Sequence, residues 1–134
     1  MRGPSSGWAS SRRSTYAFSR AYVADLTQKQ RNSLRGMVSM DRVGVGDVLP
    51  ISSVSEPSPL RAELAAAATR ADVAATLETG QRSSDHWSFV RDGLIGVRLG
   101  GTSYAGYHDA TDTPDVVNLA QLERTIRTVL AWLR

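Results

Sequence analysis

Residues Ser84–Gly101, SDHWSFVRDGLIGVRLGG, decide which kind of fold this sequence forms. SDHWSFVRDG reads as a short helix, and LIGVRLG behind it as a strand. Ser84 or Asp85 is the natural cap for such a helix, because a short polar side chain can accept from its free amides. Ser84, Asp85 and His86 also spell the residue types of a nucleophilic triad, but neighbours in sequence cannot turn their side chains on one another as a triad requires.

Reading outward gives the same alternation on both sides. Upstream, VAATLET at residues 73–79 reads as a strand. Before it a helix is opened by Ser58 and Pro59, a capping hydroxyl followed by a proline that loses nothing at the first helical position. Leu60, Leu64, Ala67, Ala68 and Ala71 supply its apolar face. DVLPIS, at residues 47–52, is a strand whose Pro50 cannot donate to a ladder and so predicts an edge or a bulge. Gly36–Met40 reads as a buried strand that stops at Asp41. Phe18, Tyr22 and Leu26 recur at helical spacing and predict a helix from about Tyr16 to about Gln30. Downstream, Asn118 and Gln121 resemble a capping box. Leu119, Leu122, Ile126, Val129, Leu130 and Leu133 form an apolar stripe, and Arg127 follows Glu123 by four. Strands alternating with helices specify an α/β layered sheet.

The bulk properties agree with a domain of this class. The chain has 134 residues, 41% hydrophobic and 22% charged, with a net charge of +3. That length buries one core. Lys29 is the only lysine, and the arginines are dispersed instead of clustered beside aromatics, which argues against a nucleic-acid surface. No apolar run has the length of a membrane span. Cysteine is absent, excluding disulfides and thiolate metal sites while leaving the compartment open. The start, MRGPSSGWASSRRST, has no apolar block behind its basic residues and reads as a disordered leader over residues 1–15, not a secretory signal.

Polar residues that act on ligands gather at the carboxyl ends of strands in open α/β sheets. Asp41 ends one strand, and His108 follows another by a loop rich in glycine and tyrosine. A carboxylate and an imidazole suit zinc. By spacing alone so distant a pair is weak evidence, since most such residues are surface polars.

Three segments, MVSMDRVGVG, SDHWSFVRDGLIGVRLG and YHDATDTPDVVNLAQLERTIRTVLAWL, occur in an order and spacing that resemble the C-terminal half of the M28 zinc aminopeptidases. The resemblance covers roughly residues 17–134. It implies a three-layer α/β/α zinc-exopeptidase-like sheet of which only the C-terminal half is present, over residues 16–134. It also implies Asp41 and His108 as ligands of two zinc ions, Tyr107 as the catalytic phenol that steadies an oxyanion, and a peptide as substrate. Water activated between two metals would attack the scissile carbonyl.

The resemblance also shows what is lacking. The family's upstream histidine, bridging aspartate and adjacent glutamates have no counterpart here. The glutamates would fall near SRRST, where the chain has Arg12 and Arg13, ahead of a matching SRAYV. Arg-Arg-Ser can be encoded by bases that, read one place out of register, contain glutamate codons, so the leader is expected to be a frameshifted or misassigned start. Ile95 stands for the proline of the family's G-I-P strand, and Asp109-Ala110 for Thr-Pro after the histidine. A partial domain is expected to be inactive and aggregation-prone through an exposed sheet edge. The alternatives implied are a noncatalytic binding domain on the same fold, and a glutaminyl-cyclase-like acyltransferase that would need Trp87 or Trp132 in its pocket.

Overall fold

The computed structural model describes residues 16–134; the leader, with Arg12 and Arg13, lies outside them. The order of elements is α1 (Ala17–Asp25), α2 (Gln28–Ser33), β1 (Met37–Asp41), β2 (Leu49–Ser52), α3 (Pro59–Arg70), β3 (Ala75–Glu78), α4 (His86–Val90), β4 (Gly96–Gly100) and α5 (Leu119–Leu133). A 3-10 turn at Pro114–Val116 precedes α5.

The strands form one sheet in the order β1-β4-β2-β3. β1 runs parallel to β4, β2 runs parallel to β3, and the two pairs meet antiparallel where Ile51 and Ser52 face Leu99 and Arg98. Side chains alternate along a strand, so each row across the sheet belongs to one face. Val97, Leu99, Leu49 and Ile51 lie on the face covered by α3 and α5, packed with Leu60, Leu64, Ala68 and Val73. Burying a leucine such as Leu64 there stabilises the domain by about 1.5–3 kcal/mol.

The opposite face is polar. Ser39, Arg98, Ser52 and Glu78 form a row in register across all four strands. Arg98 is buried; its Nη1 donates to Ser83 Oγ at 2.9 Å and its Nη2 lies 3.9 Å from Glu78 Oε2. Ser52 Oγ donates to the same Glu78 oxygen at 3.0 Å. α4 covers the β1 and β4 side of this face, with α1 packed against α4. Helices thus lie on both faces, as a three-layer α/β/α sheet requires.

Several expectations are corrected. The first helix does not run to Gln30 but breaks at Leu26. There Thr27 opens α2 with a true capping box: Thr27 Oγ1 accepts from Gln30 N and Gln30 Oε1 from Thr27 N. Phe18 and Tyr22 are exposed, and Val23 is the residue α1 buries. Pro50 stands in an interior strand. Leu49 N donates to Ala74 O on the β3 side, so proline's missing donor faces β4, just outside the pairing that begins at Ile51.

The α4 cap also differs. Asp85 makes no side-chain cap bond, and the buried Ser84 hydroxyl bonds Ser39 Oγ at 2.7 Å. At α5, Asn118 Oδ1 accepts from Ala120 N, while Gln121 Nε2 donates to Val48 O instead of closing a box. The apolar stripe of α5 is largely turned outward. Leu119, Ile126, Leu130 and Leu133 are exposed, and Gln121, Thr125 and Thr128 face inward. Helix α3 forms as its sequence predicts, with Ser58 Oγ accepting from Arg61 N and Leu60, Leu64, Ala67 and Ala68 buried.

His86 is wholly buried under Gly96, where an added Cβ would meet His86 O at 2.9 Å. Its Nε2 donates to Gln81 O at 2.8 Å, and its Nδ1 has no partner. Burial, seconded by the Arg98 charge, lowers the pKa of His86 from 6.5, against the Gln81 bond and the charges of Asp41 and Asp85.

Two outcomes are expected in urea melts monitored by circular dichroism. Leu64→Ala should cost about 2–5 kcal/mol, whereas Leu130→Ala on the exposed stripe should cost less than about 1. Because the unfolded imidazole binds a proton before the folded one does, stability should fall as pH drops below the unfolded pKa of about 6.5 and keep falling to the lower folded value. Replacing His86 with Gln should flatten that slope; an unchanged slope would place the acid sensitivity elsewhere.

Candidate active site

β1 and β4 are parallel neighbours, so their carboxyl ends lie side by side, with Asp41 in register with Gly100. The chain leaves β4 through Gly100 and Gly101, at φ +86 and +89. A Cβ on Gly100 would stand 2.2 Å from Asp41 O, and one on Gly101 2.5 Å from the Arg98 guanidinium. Only glycine satisfies both the sign of φ and the lack of space. This turn directs the loop beyond it toward the end of β1.

That loop carries Tyr104, Tyr107 and His108. Tyr104 Oη donates to Asp112, 3.0 Å from Oδ1, and Asp109 N donates to Gly106 O at 2.7 Å, closing the loop on itself. The Tyr104 and Tyr107 rings meet edge to face at 5.6 Å. Tyr107 and His108 stack with centroids 3.9 Å apart.

Arg42 joins this loop to Asp41. Its Nε lies 3.7 Å from Asp41 Oδ1, and its Cζ sits 4.3 Å from the centre of the Tyr107 ring. Asp41 and Tyr107 therefore both lie near one guanidinium, and His108 is seated against Tyr107. Arg42 and His108 both adopt left-handed backbone, at φ 51 and 61. That conformation costs a non-glycine residue of order 1 kcal/mol and gathers at functional positions.

Tyr16 belongs to the same neighbourhood. Its pKa is raised by burial first, then by the charges of Asp41 and Asp85. Sequence reasoning singles out neither Tyr16 nor Arg42. The position of Arg42, directly after a strand-terminal aspartate, is the one signal that could have found it.

The donor set does not fit a zinc centre on its own. Asp41 and His108 are one carboxylate and one imidazole, and a stable zinc site takes three or four protein ligands. Among the described residues no group of three or more His, Cys, Asp or Glu could hold a metal ion. No described helix is long and apolar enough to cross a membrane.

The fold recurs in solved structures. The aminopeptidase from Aneurinibacillus sp. strain AM-1 superposes with a TM-score of 0.74 at 24% identity, covering 87% of this chain and 29% of that one. BSAP, a zinc aminopeptidase from Bacillus subtilis, gives 0.79 at 20% identity over 88% of this chain and 32% of that one. The LapA aminopeptidase of Legionella pneumophila gives 0.71 at 18% identity over 87% and 34%. This chain thus spans about a third of the proteins whose fold it shares. No curated protein sequence matches it. The family profile described as "Peptidase family M28" matches residues 17–133, nearly the whole sequence, and the chain belongs to peptidase family M28.

Proposed function

We propose that this chain is the C-terminal part of a zinc-dependent aminopeptidase domain, one that removes N-terminal residues from peptides only when the rest of the domain completes its site. The observation that carries this reading is the convergence at the ends of β1 and β4, where Asp41 and Tyr107 both lie near one guanidinium and His108 stacks on Tyr107. Family membership and the zinc aminopeptidase BSAP among its structural likenesses give that convergence a chemical meaning.

In this reading Asp41 and His108 contribute two of the donors that two zinc ions would need. Tyr107, 43% exposed, has a phenol free to meet a substrate, where it would donate to the carbonyl oxygen on which charge develops. The donors still lacking, and the general base, would come from outside residues 16–134.

A noncatalytic binding domain is the second reading, and one observation favours it. Arg42 already supplies a cation to Asp41. Nothing favours the acyltransferase. Trp132 packs against the core with its Nε1 donating to Glu63, and Trp87 lies beneath Arg82 at 5.0 Å.

The purified chain, dialysed and assayed for zinc by mass spectrometry and for leucine release from leucine 4-nitroanilide, is expected to hold substoichiometric zinc and to show no turnover. Stoichiometric zinc with hydrolysis would overturn the incomplete-site reading.

A further inference from the structure

We infer that the free edge of β1, with the apolar side of α5 beside it, is the docking surface for a second copy of this chain, whose own β1 pairs with it antiparallel about a two-fold axis. The inference does not rest on the peptidase reading.

Among the described residues β1 pairs only with β4, at the end of the sheet order. Met37 N donates to Ile95 O on the β4 side. Main-chain groups of successive strand residues point to opposite sides, so those of Val38 and Met40 face outward. Such a row is a template for another strand. Val38 and Met40 stand in register with Val97 and Leu99, which puts their side chains on the face under α5. There Met40, 61% exposed, shares a hollow of about 210 Å³ with the exposed Ile126 and Leu130. A strand laid along β1 extends the sheet and brings its own alternate side chains over that hollow.

The order of charges selects a second copy and its direction. Arg35 lies two residues before β1, and Asp41 ends it. Centring an antiparallel pair on Ser39 sets Val38 opposite Met40 of the other copy, where each exchanges both main-chain bonds, and sets Asp41 diagonal to the other copy's Arg35. Acid then meets base at both ends of the pair. A parallel arrangement would set like charge beside like. Asp41 can accept from this second cation, because Arg42 Nε lies 3.7 Å from its Oδ1, too long for a hydrogen bond. β3, the opposite edge, is preceded by Asp72 and ends at Glu78, so pairing with itself would bring acid against acid. With one self-complementary edge, a two-fold pair closes instead of growing into a fibre.

The test is sedimentation equilibrium of the full chain at about 100 μM, where a micromolar Kd gives mostly dimer, together with amide exchange followed by NMR. The chain should be dimeric. Protection of the Val38 and Met40 amides should rise with concentration, while the Met37 amide, bonded within the chain, should not change. Met40→Lys places a charge on the edge and should weaken the dimer at least about tenfold. Ile126→Lys, on exposed helix surface, carries the test should that variant fail to fold. Arg35→Glu and Asp41→Arg should each be mostly monomeric, and mixing the two should restore a dimer, because only the mixed pair has opposite charges at both ends.

A monomer at that concentration, or open-ended aggregates, would overturn the inference. A dimer indifferent to both lysine variants, or a mixture no more dimeric than its components, would do the same. So would protection of Val38 and Met40 in dilute monomer, which would mean that another segment of the chain already covers the edge.

Discussion

The parallel pairing of β1 with β4 is the constraint on which the rest of this structure depends. Because Asp41 and Gly100 end their strands in register, the loop after β4 is delivered to the aspartate. The delivery is steric as much as hydrogen-bonded. Gly100 brings its backbone so close to Asp41 O that no side chain could be built between them. Everything chemically distinctive about the chain, from Arg42 and Tyr107 to His108, is organised around that contact.

Behind the site the sheet has two unlike faces, and they perform different tasks. The face under α3 and α5 is apolar and supplies hydrophobic stabilisation. The face under α4 carries a buried arginine in a row of serines, ending at Glu78. Replacing such a network with apolar side chains often leaves stability unchanged or raises it. Its structural effect is positional. Arg98 ties the segment before α4 to β4 through Ser83 and fills the space against Gly101, so the polar layer fixes the turn that aims the loop carrying Tyr107 and His108.

The layered α/β class and most of the elements were legible in sequence, because runs such as MVSM and the Ser58-Pro59 start carry their own local physics. The kinship was legible because three motifs recur in order. Features that could not be read depended on neighbours. Pro50 is tolerated in the interior because its missing donor meets no ladder partner, a fact of register that composition does not carry. The break at Leu26 was written in Thr27 and Gln30, but the apolar spacing of Phe18, Tyr22 and Leu26 masked it. Ser84 has the chemistry of a cap, but Ser39, distant in sequence, supplies a better partner. At the candidate site, Asp41, Tyr107 and His108 were singled out in the sequence through family motifs. Arg42 and Tyr16 were not, since no motif requires them and their role arises from contact alone.

In helix α5 two signals carried by one segment disagree. Its rotation is set by Gln121 Nε2 donating to Val48 O and by Thr125 Oγ1 donating to Val43 O, two directional bonds to the sheet side. Ile126 and Leu130 are exposed instead, lining a depression with the exposed Met40. Turning the helix about its axis would give up those bonds for leucine burial, so directional bonding and apolar area pull this one segment opposite ways, a local frustration. α5 is therefore seated by the direction of two hydrogen bonds, at the expense of the apolar area it leaves uncovered.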